Sequence, residues 1–202
     1  MSPVEVIGAI ATLVNVYLVM RGSLWNWPWG ILAVALYGWV FWKGELYANM
    51  WLQLAYYLPM QAVGWWYWLR GGPKKADDLP ITALSTPARV GWLLAGLPIS
   101  AAWGGLSWWL AVKAHQPIPA FPVLLVDALT TGLSVVGQVL LTQKKIENWA
   151  IWVLVNVAYA FYLLPTQGLW ISAGLYLILL GMAVQGWRQW GHAIVRERQD
   201  SP

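Results

Sequence analysis

The chain has 202 residues, of which 59% are hydrophobic and 10% are charged, and it contains 18 tryptophans. Soluble domains carry about 25% charged residues and could not bury this much apolar surface, so the composition excludes a soluble globular protein and predicts an integral membrane protein. The formal net charge of +4 is spread over short loops, and cysteine is absent, which argues against a nucleic-acid-binding surface and excludes a disulfide framework or a cysteine-based metal site.

Seven long apolar segments follow one another along the chain. They run at 6–20, 25–42, 46–69, 90–112, 118–142, 148–165 and 168–187. Each is about long enough to cross a ~30 Å hydrocarbon layer as a helix, and the period-2 alternation of a membrane barrel is absent. We therefore predict an all-α integral membrane protein with seven transmembrane helices in a single domain, 1–202.

The basic residues of the short loops predict the orientation. Lys43 and Lys113 fall on one side, and the other ten Lys and Arg residues fall on the opposite side: Arg21, Arg70, Lys74, Lys75, Arg89, Lys144, Lys145, Arg188, Arg196 and Arg198. The positive-inside rule makes this second side cytoplasmic. The N-terminus is then outside, and 191–202 is a cytoplasmic tail that contacts anionic lipid or solvent.

Two helix pairs repeat at a fixed distance. Asn26-Trp27 and "GWWYW" at 64–68 correspond to Asn148-Trp149 and "GWRQW" at 186–190, and the shift is 122 residues at both ends. This predicts a first three-helix repeat at 6–69, a linker helix at 90–112 and a second three-helix repeat at 118–190. Parallel repeats of this kind are typical of transporters with a substrate site near the midplane.

Three stretches carry a family resemblance. "GELYANMWLQ" at 44–53, "DALTTGLSVVGQVLLTQKKIENWAIWVLVN" at 127–156 and the "GWxxW" endings resemble the PnuC family of bacterial vitamin transporters. The resemblance implies a 3+1+3 arrangement like that of SWEET carriers, a homotrimer in the bacterial inner membrane, and uptake of nicotinamide riboside by facilitated diffusion. It also implies trapping of the product by a cytoplasmic kinase, and it leaves thiamine or another vitamin as an alternative substrate.

The fifth segment carries a polar stripe. Asp127, Thr131, Ser134 and Gln138 are spaced i, i+4, i+7 and i+11, with Thr130 at the edge. Polar groups facing lipid are costly, so the stripe is predicted to face protein or a water-filled path. Interhelical hydrogen bonding is the alternative role for these side chains.

The sixth segment places Trp149, Trp152 and Asn156 on one helical face. Indole rings stack and attract cations, and an amide both donates and accepts hydrogen bonds, which suits a cationic ring bearing a carboxamide. The alternatives are anchoring at the membrane boundary for the tryptophans and a helix–helix hydrogen bond for Asn156.

The third segment places Asn49, Gln53 and Tyr56 on one face if every step is 100°. Pro59 is predicted to kink this helix and free a carbonyl. Gln53 and Gln61 are expected to reach the site. Further candidates follow: Tyr176 with Ser172 one turn earlier for the site, Asn26 and Asn148 for capping or positioning their helices, and Trp25, Trp29, Trp42, Trp68, Trp170 and Trp190 for anchoring at helix ends.

The remaining chemistry favours passive transport. No Walker loop, serine elbow or histidine cluster falls in the apolar segments, so the chain is predicted not to be an enzyme and to need no cofactor or metal. Asp127 is the one acid inside an apolar segment, and it lies toward the outer end, which favours uniport over proton symport. A membrane receptor or scaffold that binds a small molecule without moving it is the alternative class.

Overall fold

Seven helices make up the fold. The computed structural model describes residues 2–44, 46–71, 79–113, 115, 117–166, 168 and 170–200. Within these residues the helices are α1 (Pro3–Met20), α2 (Asn26–Lys43), α3 (47–69), α4 (Thr86–Lys113), α5 (Phe121–Thr142), α6 (Glu147–Thr166) and α7 (Trp170–Asp200). The seven predicted helices are confirmed, and α7 continues beyond 187 into the polar tail. Lys74, Lys75 and residues 201–202 lie outside the described residues.

Among the described residues, four helices are long and apolar enough to cross a membrane, namely α1, α4, α5 and α6. Trp25, Trp29, Trp42 and Trp170 are exposed at helix ends, where tryptophan anchors a membrane protein at the lipid boundary. Trp68 and Trp190 are only 3% and 1% exposed. Their predicted anchoring role is therefore wrong, because both rings pack inside the bundle.

The helices pack as two similar triplets. α2 packs on α1 and α3, and α6 packs on α5 and α7. The triplets meet where α1 contacts α7 and where α3 contacts α5, two contacts that correspond under the shift of 122 residues. α4 packs mainly along α5 and leaves most of its apolar surface exposed.

Each triplet contains the same pair of buried tryptophans. The rings of Trp27 and Trp68 meet edge to face with centroids 5.2 Å apart, and those of Trp149 and Trp190 do so at 5.4 Å. A Cβ added at Gly64 would run into the Trp27 ring, and one added at Gly186 would meet Trp149 at 2.6 Å. The absence of a side chain at these two glycines is what lets the neighbouring helices approach.

All four tryptophans belong to one apolar cluster, which we call the tryptophan cluster. It also contains Val19, Met20, Leu79, Leu141 and Ala183. The cluster gathers the ends of α1, α3 and α5 and the beginnings of α2 and α6. We call this the basic end, because Arg21, Arg70 and Lys144 lie beside these helix termini.

The helix pairs α1–α2 and α5–α6 are joined by equivalent turns. Asn26 Nδ2 donates to the Ser23 carbonyl and Asn148 Nδ2 donates to the Lys145 carbonyl, both at 2.6 Å. Each asparagine lies in the first turn of its helix and holds the preceding turn against it, which agrees with the predicted positioning role. The predicted capping role is wrong, because the N-cap residues are Trp25 and Ile146.

Two helices contain a π-helical segment just before a proline. α3 is π-helical at Leu52–Tyr57 ahead of Pro59, and α6 is π-helical at Tyr159–Leu163 ahead of Pro165. A proline has no N–H to donate to the carbonyl four residues earlier, and a wider turn is one way to accommodate that loss. The predicted disturbance at Pro59 therefore takes the form of a π segment in a continuous helix.

The tryptophan–glycine contacts predict a stability effect. Gly64→Ala and Gly186→Ala each force a methyl group against an indole ring, and overpacking of this kind costs about 1–3 kcal/mol. Both variants should show a lower thermal unfolding midpoint in detergent. Gly181→Ala on α7 is the matched control, because nothing lies within 4 Å of its added Cβ. Equal midpoints for all three variants would contradict the packing.

Candidate functional site

The polar stripe of α5 faces the protein. Thr130, Thr131, Ser134 and Gln138 are all buried, whereas Asp127 is partly exposed. The Ser134 hydroxyl donates to the Thr130 carbonyl at 2.7 Å, and the Thr130 hydroxyl donates to the Val126 carbonyl at 2.9 Å. Because each hydroxyl donates its hydrogen bond to a carbonyl of α5, its oxygen can still accept a hydrogen bond from another group.

A face of α6 looks toward this stripe. Trp152 and Tyr159 both pack against the small apolar cluster that joins α5 and α6, and Asn156 lies between them and is buried. The three side chains follow the i, i+4, i+7 spacing of one helical face. Trp152 is partly exposed and crosses α5 at Gly137, where an added Cβ would lie 3.6 Å from the indole ring.

Three tyrosines complete the centre of the bundle. Tyr159 of α6 stacks on Tyr176 of α7, with centroids 4.7 Å apart and planes 17° apart. Tyr57 of α3 lies beside Ser134, and Tyr159 lies beside Thr130. We call Tyr57, Tyr159 and Tyr176 the tyrosine cluster.

We infer an internal cleft beside the tyrosine cluster from the surroundings of these side chains. Protein surrounds each of the three side chains, yet each keeps part of its surface accessible. Helices α3, α5, α6 and α7 contribute phenol, hydroxyl and amide groups together with flat rings. These groups suit a polar ligand with a planar ring and several hydroxyls.

Asp127 brings the one carboxylate of α5 to this region. Its Oδ2 accepts a hydrogen bond from Trp103 Nε1 of α4 at 3.1 Å, and the side chain lies within electrostatic reach of Tyr159. The carboxylate gives the cleft a negative charge that favours a cationic ligand. Among the described residues, no group of three or more metal-ligating side chains comes together.

The third-helix candidates lie in different places. Gln61 is buried against Gly30 of α2 and Asn15 of α1. Gln53 is partly exposed and lies near Gly38 of α2. The single face predicted for Asn49, Gln53 and Tyr56 assumes 100° per residue, whereas the π segment at Leu52–Tyr57 turns by a smaller angle per residue.

The other predicted candidates divide between the core and the cleft. Trp149 is 2% exposed and packs on Trp190 at the basic end. Gln138 is 4% exposed, and its Nε2 has no hydrogen-bond partner among the described residues. Tyr176 stands in the cleft through its stacking on Tyr159. The sequence analysis did not propose Tyr57 or Tyr159 as site residues. The match between Tyr159 and Tyr37 in the repeat was an available signal for Tyr159.

Comparison with known proteins gives a consistent picture. A family model described as Nicotinamide mononucleotide transporter matches residues 2–192. The chain is 30% identical to the Nicotinamide riboside transporter PnuC of Escherichia coli, over 98% of this chain and 88% of that protein. It is 28% identical to a Neisseria mucosa protein of the same name, over 94% of this chain and 72% of that protein.

Two further similarities bear on fold and ligand. The chain is 28% identical to the Riboflavin/roseoflavin transporter RibM of Streptomyces davaonensis, over 98% of this chain and 87% of that protein. A crystal structure of the Vitamin B3 transporter PnuC superposes with a TM-score of 0.70 at 25% identity, covering 96% of this chain and 82% of that chain.

The contact between Tyr56 and α5 predicts a purely structural role. The Tyr56 hydroxyl donates to the Val135 carbonyl at 2.7 Å and so ties α3 to α5. Tyr56→Phe should destabilise the protein by about 1 kcal/mol, the net worth of a typical hydrogen bond. The thermal unfolding midpoint should fall, whereas Tyr17→Phe on the exposed face of α1 should leave it unchanged. A midpoint that does not respond to Tyr56→Phe would refute this bond.

Proposed function

We propose that this chain, which belongs to the nicotinamide mononucleotide transporter family, is a multi-pass transporter of the bacterial inner membrane that takes up nicotinamide riboside by facilitated diffusion. The grouping of polar and aromatic side chains from α3, α5, α6 and α7 around the cleft is the observation that carries the proposal. It combines stacked rings, a buried amide, buried hydroxyls and one carboxylate in a single region. The names of the E. coli and N. mucosa relatives support the choice of substrate.

Each part of nicotinamide riboside has a matching group in the cleft. The cationic pyridinium ring suits the faces of Trp152 and the tyrosine cluster. Its carboxamide suits Asn156, which can both donate and accept hydrogen bonds. The ribose hydroxyls suit Thr131, Ser134 and Gln138, and the charge of Asp127 favours entry of a cation.

The proposed architecture is 3+1+3, with α1–α3 and α5–α7 as parallel repeats and α4 as the linker. The equivalent tryptophan pairs and the equivalent α1–α7 and α3–α5 contacts support this division. The basic end is proposed to be cytoplasmic by the positive-inside rule, with the N-terminus outside. The largely exposed apolar surface of α4 is available for contacts in a proposed homotrimer.

Other vitamins are candidate ligands for the same cleft. Thiamine is a cation with an aromatic ring and would use the same rings, amide and carboxylate. The similarity to the riboflavin transporter of S. davaonensis makes riboflavin a third candidate. A receptor that binds without transporting would show binding in detergent but no flux into proteoliposomes.

Calorimetric binding to the purified protein tests the substrate and the site together. Nicotinamide riboside should bind more tightly than thiamine or riboflavin, and Trp152→Ala or Asn156→Ala should weaken binding at least ~10-fold, or about 1.4 kcal/mol. Trp66→Ala, on an exposed ring of α3, is the control and should bind like the parent. Binding of thiamine or riboflavin alone would overturn the substrate, and unchanged binding by both site variants would overturn the site.

Passive uniport predicts uptake that needs no proton gradient. Proteoliposomes without an internal kinase should accumulate nicotinamide riboside to the external concentration, and a protonophore should leave the initial rate unchanged. Asp127→Asn should raise KM, because the cleft loses its charge, but should transport without a pH gradient. Collapse of parent uptake on addition of the protonophore would show proton coupling instead.

A further inference from the structure

A short segment between α3 and α4 folds back across the basic end. We call residues 79–85 the strap. The Thr82 N–H donates to the Lys144 carbonyl at 3.1 Å, and the Ile146 N–H donates to the Thr82 carbonyl at 3.0 Å. These bonds form a parallel β-bridge between Thr82 and Lys145, and Lys145 Nζ also donates to the Thr82 hydroxyl at 2.8 Å. The strap, which follows the first triplet, is thus fastened to the turn between α5 and α6 in the second.

Glu147 fastens the far end of the strap. Its Oε1 accepts hydrogen bonds from the Leu84 N–H at 3.0 Å and from Arg89 Nε at 2.9 Å. The Arg89 side chain is half exposed, whereas that of Glu147 is 15% exposed. Two apolar side chains of the strap, Leu79 and Ile81, pack on the tryptophan cluster.

Lys144 joins the two triplets directly. Its side chain is 3% exposed, and Nζ lies 4.6 Å from the centroid of the Trp68 ring. Trp68 Nε1 donates to the Thr142 carbonyl at 3.0 Å. A residue of α3 is therefore held by both the last residue of α5 and the turn that follows it.

The backbone of Lys144 has the left-handed conformation in which many helices end. Its φ is +48°, and the corresponding residue of the first triplet, 122 positions earlier, is Gly22 with a φ of +65°. Glycine adopts this conformation freely, whereas a side chain makes it unfavourable. The same two backbone hydrogen bonds close the end of α1 at Gly22 and the end of α5 at Lys144, so the two positions are equivalent helix-ending turns.

The equivalent contact in the other half is not made. Trp190 corresponds to Trp68, but its Nε1 is buried without a partner among the described residues. The two triplets are thus tied by polar bonds at α3–α5 but not at the equivalent place on α7 and α1. If the triplets separate at this end, the polar bonds that have to break are therefore those on the α3–α5 side.

The position suits a gate on the substrate path. Tyr57 and Tyr176 lie 11 and 14 residues before Trp68 and Trp190 along their helices, or roughly 16–21 Å deeper at 1.5 Å per residue. The tryptophan cluster, Lys144 and the strap therefore lie between the cleft and the protein surface at the basic end. Their polar bonds can be exchanged for bonds to water, so they can break and re-form without a large net change in free energy.

We propose that the strap and Lys144 form the gate at the basic end, and that this gate opens in every transport cycle. The proposal rests on the transport function and on the orientation given above. Opening requires the Thr82–Lys145 bridge to separate and Lys144 to leave the Trp68 ring. Closure restores the contacts described here.

A disulfide across the bridge tests the gate, because the chain has no cysteine to interfere. Bridge partners lie about 4.8 Å apart, within the Cα separation of about 4.4–6.8 Å that a disulfide spans. Oxidised Thr82→Cys/Lys145→Cys should lose at least ~10-fold of the uptake rate shown by the same reduced protein, and reduction should restore it. Neither single variant should respond to the oxidant. Equal uptake by the reduced and the fully cross-linked protein would overturn the gate.

The Lys144→Gly variant tests whether the Lys144 side chain holds the gate closed or whether the residue only completes the turn. Glycine keeps the required backbone conformation but removes the cation from Trp68, so the strap should detach more often. In a Thr82→Cys background, the rate of labelling by a thiol reagent should rise several-fold, whereas Gln143→Gly in the same turn should leave it unchanged. An unchanged rate with Lys144→Gly would overturn the proposal. This measurement needs no substrate, so it tests the gate even if the parent protein fails to carry nicotinamide riboside.

Discussion

A tryptophan ring seated on a glycine of the neighbouring helix is the contact on which this bundle depends. Lipid tails are as apolar as leucine, so no hydrophobic force draws the helices together, and close packing and hydrogen bonds must do so instead. At Gly64 and Gly186 the missing Cβ makes room for Trp27 and Trp149. A second tryptophan then covers the ring edge to face, which is a favoured geometry for aromatic pairs.

The repeated contacts give the two triplets the same packing, but equivalent positions in the two triplets carry different side chains. In the first triplet, the polar side chains of Gln61 and Asn15 both lie against Gly30, and Gln61 is buried. The corresponding residues of the second triplet, 122 positions later, are Ala183, Gly137 and Trp152. There the indole ring of Trp152 crosses Gly137 and packs on the tryptophan cluster. The symmetric scaffold therefore places an indole ring at this position in the second half only.

The apolar segments were enough to predict the helices, because only a helix satisfies its own backbone in lipid. The polar stripe of α5 was predicted to face protein for the same energetic reason, and its residues are buried. The roles of Trp68 and Trp190 were predicted wrongly. Their positions in the sequence indicated the end of a helix, but whether a ring there faces lipid or a neighbouring helix depends on packing. Each stands four residues after a glycine on which a neighbouring indole sits, and that spacing was the available signal.

The strap could not be predicted either. Its bridge to Lys145 joins residues 63 apart in a segment with no hydrophobic periodicity. No local pattern indicates such a pairing, because one isolated bridge leaves no alternation to read. The left-handed backbone of Lys144 is similarly invisible in the sequence. Only alignment of the two repeats, which sets Lys144 opposite Gly22, indicates that this position needs a positive φ.

The two π segments explain why the tyrosine cluster stands where it does. Tyr57 ends the π segment of α3, and Tyr159 begins the π segment of α6. The segments are not equivalent under the repeat, so each distorts one helix of its triplet alone. Both are followed by a proline, whose missing N–H leaves a carbonyl of the segment without its α-helical donor. The widened turns bring one phenol beside Ser134 and the other beside Thr130, on neighbouring turns of α5. Pro59 and Pro165 thus help to make the two halves of the scaffold differ at the level of the cleft. Single π-helical turns within α-helices occur frequently at functional sites.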